Sequence, residues 1–123
     1  MKTIAVLGTL DTKGAEHSFV ADRIRAYGLT PLLIDVGTGA EPTVKPDVTR
    51  HEVAALGGID LDAVIKKNDR GEAVTAMSQG APKLLSKLQI EGKIHGVISL
   101  GGGGGTAIAT AAMRALPIGF PKL

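Results

Sequence analysis

The chain has no cysteine, which excludes disulfide staples, thiolate metal sites and thiol catalysis. It has no tryptophan, and its only aromatic residues are Phe19, Tyr27 and Phe120. The core must therefore be aliphatic, and there is no set of aromatic platforms on which single-stranded nucleic acid could stack. Clusters of one charge are missing too: 14 Lys+Arg against 12 Asp+Glu leave a net of +2 with no basic run. Neither direct nucleic-acid binding nor an anionic membrane surface is expected. The apolar stretch after Met1-Lys2 ends at Gly8, too short for a signal peptide. The uncharged run Ile94–Met113 is long enough to span a bilayer, but its six glycines together with His95, Ser99, Thr106 and Thr110 fit a strand, a glycine loop and a helix better. A cytoplasmic protein without a membrane segment is expected.

What is abundant is glycine, 17 of 123 residues, about twice the usual share. Apolar residues at 44% and charged residues at 21% are ordinary for a globular domain, and the length sets an expectation of one domain, 1–123. Thr3–Leu7 (TIAVL) reads as a buried strand. A helix follows over about Ala15–Ala26, with Phe19, Val20, Ile24 and Ala26 at helical spacing and Gly28 just beyond its end. Thr30–Val36 is a second strand, with Pro31 at its start where no ladder donor is lost. Gly37–Pro46 is loop, and residues 37–69 form a helical insertion. In it, Thr49 with Glu52 makes a capping box for a helix to about Leu56, and Asp60 caps another to about Lys67. Asp69 with Glu72 opens a longer helix, Gly71–Gln89, which buries Val74, Met77, Ala81, Leu84, Leu85 and Leu88 and which Pro82 is expected to kink or split. Gly96–Leu100 is a third strand, Gly101–Gly105 a loop of five glycines, Thr106–Leu116 a helix of small residues, and Ile118–Leu123 the start of a fourth strand. Strands alternating with helices imply an α/β fold: a parallel sheet of about four strands with helices on both faces.

In such sheets ligands bind beyond the carboxyl ends of the strands. Three loops should meet at that rim: Gly8–Gly14 (GTLDTKG), Asp35-Val36-Gly37, and Ser99-Leu100 with the glycine run. Gly101, Gly102, Gly103, Gly104 and Gly105 between a strand and a helix let backbone N–H groups approach a phosphate, with the helix N-terminus adding partial positive charge and Thr106 a hydroxyl. The alternative for that run is close helix–sheet packing. In the first loop, Lys13 is a cation for phosphates and Thr9 and Thr12 are hydroxyl donors. Asp11 or Thr12 can equally serve only as a helix cap. The order of residues is not that of a Walker A loop, because Lys13 precedes Gly14. Asp35 stands where nucleotide folds commonly place the acid that binds a ribose hydroxyl, and it could equally be a turn residue. Asp11 is a lone candidate to help hold Mg²⁺ on phosphates. His17 is expected to point outward from the first helix, His51 lies in the insertion, and His95 is at the other end of the sheet. None has metal-ligand spacing to another histidine, and no convincing general base is present.

Taken in order, GTLDTKG at Gly8–Gly14, DVGTG at Asp35–Gly39, DVTRHEVAALGG at Asp47–Gly58 and SLGGGGGTAIATAAMRALPIGFPKL at Ser99–Leu123 resemble the family of the tomato mosaic virus resistance protein and its many uncharacterised bacterial relatives. The resemblance covers almost the whole chain. It implies an N-terminal, Rossmann-like ATP-binding domain of a longer protein, with ATP, with or without Mg²⁺, at Gly8, Thr9, Asp11, Thr12, Lys13, Asp35, Gly37 and Gly101–Thr106. Three functions compete: a nucleotide-binding module, part of an ATP-dependent enzyme whose catalytic half lies elsewhere, and an interaction module that dimerises or meets a missing C-terminal domain.

Overall fold

A computed structural model describes residues 2–123. Three strands, β1 (Thr3–Gly8), β2 (Thr30–Asp35) and β3 (Gly96–Ile98), form a parallel sheet in the order β2-β1-β3. β1 pairs with β2 from Thr3↔Thr30 to Gly8↔Asp35, and with β3 from Ile4↔Gly96 to Val6↔Ile98. All three carboxyl ends therefore lie at one rim. Five helices complete the fold: α1 (Gly14–Ala26), α2 (Arg50–Leu56), α3 (Leu61–Lys66), α4 (Arg70–Ile90) and α5 (Gly103–Met113).

Alternation along the strands divides the core into two layers. Ala5, Leu7, Ile34, Val36 and Val97 face α2–α5, where they join Val53, Met77, Leu84, Leu85, Ile108 and Leu116 in the larger cluster. Val6 and Leu33 face the other way and pack with Ala21, Val20 and Ile24 of α1. The larger layer is aliphatic apart from the half-buried Phe120 at its margin, as the shortage of aromatics requires.

The insertion folds as its caps dictate. Thr49 and Glu52 form the reciprocal capping box on α2, the Asp60 carboxylate accepts from the N–H groups of Asp62 and Ala63, and that of Asp69 from Glu72. α4 is not split at Pro82: the proline costs the local i→i−4 bond, but the buried stripe Met77, Ala81, Leu84, Leu85, Leu88 continues on both sides of it. Val74, expected inside, is only half-buried.

The fourth strand is reduced to a single bridge, Val97↔Lys122, beside β3. It is held by Val97 N–H to the Pro121 carbonyl (3.0 Å), Leu123 N–H to the Val97 carbonyl (2.9 Å) and Ser99 N–H to the Leu123 carbonyl (2.9 Å). The segment is entered by a turn through Gly119, whose φ is +92°. The outer edge of β2 is covered similarly, with the N–H groups of Asp47 and Val48 donating to the Leu33 carbonyl and the Asp35 N–H to the Val48 carbonyl.

Where α4 crosses α2, Gly80 lies directly on the Val53 carbonyl, and a Cβ there would overlap its oxygen. Helix propensity alone makes Gly→Ala favourable by about 1 kcal/mol. Overpacking against backbone outweighs it, so Gly80→Ala is expected to destabilise the chain by about 1–3 kcal/mol in urea titrations. A variant as stable as the parent would show that the crossing is looser than described.

Candidate functional site

The three expected loops meet at the carboxyl rim. The Val36 N–H donates to the Gly8 carbonyl (2.9 Å), which ties the ends of β1 and β2. One carboxylate oxygen of Asp35, Oδ1, accepts from the N–H groups of Gly37 (2.8 Å) and Leu10 (3.2 Å). Asp35 is 1% exposed, so its carboxylate is a strut between the two loops. Burial pushes its pKa above the ordinary carboxylate value of 3.8. The two N–H donors and the Arg50 guanidinium pull it down, and Asp11 adds to the rise.

Asp11 bridges the same loops further out. Its Oδ2 accepts from the Gly39 N–H (3.0 Å) and its Oδ1 from the Thr12 N–H (3.0 Å). It is therefore not the cap of α1. Neither is Thr12, whose hydroxyl faces that of Thr9 at 2.8 Å. The residue at the head of α1 is Lys13, with no side-chain cap. The Lys13 ammonium is exposed, with no ion-pair or hydrogen-bond partner among the described residues.

The glycine run differs from the expected five-residue loop. Only Gly101 and Gly102 lie outside helix. α5 begins at Gly103, so Gly103, Gly104 and Gly105 form its first turn ahead of Thr106. Residues 99–102 separate β3 from α5, and Gly101 lies against Thr106, whose Oγ1 would stand 2.6 Å from a Cβ at Gly101. Gly105 faces Thr9 of the first loop, whose Cγ2 would stand 3.6 Å from a Cβ there. Around Gly102, Gly103 and Gly104, no described atom beyond the adjoining residues and the helix's own backbone comes within 4 Å of where a Cβ would stand, and none of the three has positive φ. α5 has no side-chain cap, whereas α2, α3 and α4 each have one. The first-turn N–H groups of α5 have no acceptor within the helix.

Two residues that build this rim escaped the sequence reading. His17 does not point outward: it is fully buried. Its Nδ1–H donates to the Lys13 carbonyl (2.7 Å), leaving Nε2 to accept the Leu100 N–H (3.2 Å) at the entry to the glycine run. The imidazole fills the space where Gly8 has no side chain; a Cβ on Gly8 would overlap the ring. Of the apolar positions expected inside α1, Val20 and Ile24 pack half-buried on the smaller cluster while Phe19 and Ala26 do not, because the fully buried face is Gly14, His17 and Ala21, small or polar residues at i, i+3, i+7. Phe19 is exposed. The second residue is Arg50, 4% exposed. Its Nη1 donates to the carbonyls of Gly39 (2.9 Å) and Ala40 (2.8 Å) and its Nη2 reaches Glu41 at 3.4 Å, pinning the β2–α2 loop. Its Nε is buried without a partner among the described residues. The histidines outside the rim behave as expected: His51 pairs with Asp62 (2.9 Å) on the surface, and His95 accepts the Thr3 N–H (3.0 Å) at the opposite end of the sheet.

A cleft of about 510 Å³ opens beside the rim between Thr38-Gly39 and the α3–α4 junction, lined by Ile65, Asn68, Asp69, Arg70 and Ala73. No group of three or more His, Asp or Glu side chains among the described residues could hold a metal ion. No helix among them is long and apolar enough to cross a membrane.

Residues 2–123 match the family described as "Uncharacterised protein family (UPF0261) N-terminal domain". A UPF0261 protein of Clostridium tetani is 48% identical over 122 residues, covering 99% of this chain and 30% of that protein. One from Rhizobium meliloti is 45% identical over 123 residues, covering the whole chain and 30% of the relative. The tomato protein named "ToMV susceptible protein tm-1(GCR26)" is 31% identical over 132 residues, covering 95% of this chain and 18% of that protein. The chain thus spans about 30% of the length of the bacterial relatives. It belongs to the UPF0261 family, residues 2–123 matching that family's N-terminal domain.

Proposed function

We propose that this domain binds a nucleotide, ATP on the family resemblance, with its phosphates at the head of α5. The observation that carries the reading is the bareness of Gly102, Gly103 and Gly104. Among the described residues nothing packs against these positions and none of them has positive φ, so the missing side chains leave room for something outside the chain. The uncapped first turn of α5 offers N–H donors and a positive dipole end, which suits phosphate oxygens. Thr9 of the first loop faces Gly105, and unpaired Lys13 follows in that loop as the cation. Thr12 and Thr106 supply hydroxyls to the same rim.

Asp35 acts through the turn it holds: with Gly37 it shapes the ribose side of the site, and Asp11, less deeply buried, is the carboxylate closer to solvent for a ribose hydroxyl or a phosphate-bound Mg²⁺. The cleft beside Thr38-Gly39 is the adjoining concavity for the base.

Thermal unfolding with ATP, ADP, GTP, NAD or inorganic phosphate, each with and without Mg²⁺, tests this. Ligand at about 100 times its dissociation constant stabilises a fold by roughly 2.7 kcal/mol. For a domain of this size that is of order 5–15 °C. A shift confined to adenine nucleotides is expected. A cooperative melt unmoved by every ligand would overturn the reading for this chain.

A further inference from the structure

The two faces of the sheet are unequally covered. Four helices lie on one face, and α1 alone lies on the other, over β1 and β2. Neighbouring strands are about 4.8 Å apart and a helix is about 10 Å across, so one helix covers roughly two strands. On the α1 face this leaves Ile98 of β3 half-buried at the margin of the α1 cluster and residues 121–123 exposed. Because Lys122 pairs with Val97, Pro121 and Leu123 project to the same side as Ile98. With Ile4 and the flank of Ile24 they line a concavity of about 330 Å³ that is almost wholly apolar. Leu123 is 81% exposed.

We infer that this groove is the seat of an amphipathic helix supplied by the part of the family protein that follows the matched region. Handedness allows it on one condition. The steps from β2 across to β3, and from β3 to residues 121–123, run in one direction along the sheet and put α4 and α5 on one face. The step from β1 to β2 runs the other way and puts α1 on the opposite face. Right-handed connection places a further helix beside α1 only when the chain turns back across the sheet, which the chain beyond the last parallel segment can do. Supply is not lacking: the matched region is 30% of the Clostridium tetani relative, and the family places it at the N-terminus. Size argues against a second copy of this chain as the occupant. A groove two strands wide and three residues long offers on the order of 100 Å², against about 800 Å² per partner in a stable interface. A helix tethered in the same chain does not need that area, because the tether raises its effective concentration.

The absence of cysteine makes a thiol probe clean. Leu123→Cys and Ile98→Cys are compared in the 123-residue chain and in the same chain joined at its end to the segment that follows the matched region in the Clostridium tetani relative, with Lys66→Cys as an exposed reference. The expected result is thiol labelling slowed about tenfold or more at both groove positions in the joined protein, with the reference unchanged, since exchange at a covered site waits for local opening. Equal labelling in a joined protein that melts cooperatively would overturn the inference. So would protection in the short chain that grows with its concentration, which would assign the groove to a second copy. If the joined protein does not fold, a lysine is placed at the position aligned with Leu123 in the full-length relative. A melting temperature lowered by several degrees there, with no change for Leu123→Lys in the short chain, supports the helix seat; no change in either overturns it.

Discussion

A Gly103→Val chain is expected to melt within about 2 °C of the parent without ligand, because ordinary surface changes stay within about 0.5 kcal/mol. With saturating ATP it is expected to lose most or all of the ligand-induced shift. The first half follows from the open space around Gly103 and from its ordinary φ: a Cβ there has no described neighbour within 4 Å beyond its own turn of helix. The second follows from geometry at the first turn of α5, where a branched side chain occupies the volume through which phosphate oxygens must approach the N–H groups. Lys13→Ala, in which the backbone at the head of α1 is kept, should weaken binding and leave part of the shift. The pair separates the two ways the site could fail. Loss in the valine variant alone assigns binding to the helix terminus, while loss of basal stability in it would mean that the glycines serve a packing role after all.

The sequence exposes this rim only partly, and for identifiable reasons. The order of strands and helices, the caps at Thr49, Asp60 and Asp69, and the convergence of three loops all rest on local signals, and each stands in the structure. The start of α5 was misplaced because glycine has no periodicity to read and low helix propensity. Tertiary context, with β3 delivering the chain beside Thr9, decides the matter instead. His17 and Arg50 were hidden for a different reason. A polar residue on a buried helix face looks exposed in any pattern built on apolar spacing, and its partners, the Leu100 N–H and the Gly39 and Ala40 carbonyls, are backbone groups far along the chain. The one sequence cue to His17 was Gly8, a glycine at a strand end where a ring could enter. The cleft beside Thr38-Gly39 had no cue, since it depends on how the insertion folds back onto the β2–α2 loop.

Asp35→Ala is expected to be the most destabilising change at the rim, by about 2–4 kcal/mol at neutral pH, whereas Asp35→Asn should cost less than about 1 kcal/mol. Alanine leaves the N–H groups of Leu10 and Gly37 without their acceptor in a place water does not reach, and relief of the buried charge only partly offsets that. Asparagine retains an oxygen for both. The two variants also separate in pH. Burial raises the Asp35 pKa above 3.8 in the folded chain, so between 3.8 and the raised value the folded state holds more protons than the unfolded one. Stability contributed through this group therefore falls as pH rises through that window, and at neutral pH the cost of the buried charge is fully present. The asparagine variant cannot titrate. On acidification through the window toward pH 3.8 the parent should gain stability relative to it, and above the window the difference should be constant. Urea midpoints for the three chains across that range check both statements. An alanine variant no worse than the asparagine one would remove Asp35 as the strut between the β1 and β2 loops. A parent that lost ground to asparagine on acidification would mean that the N–H donors and Arg50 outweigh burial, and that the carboxylate is held charged to bind.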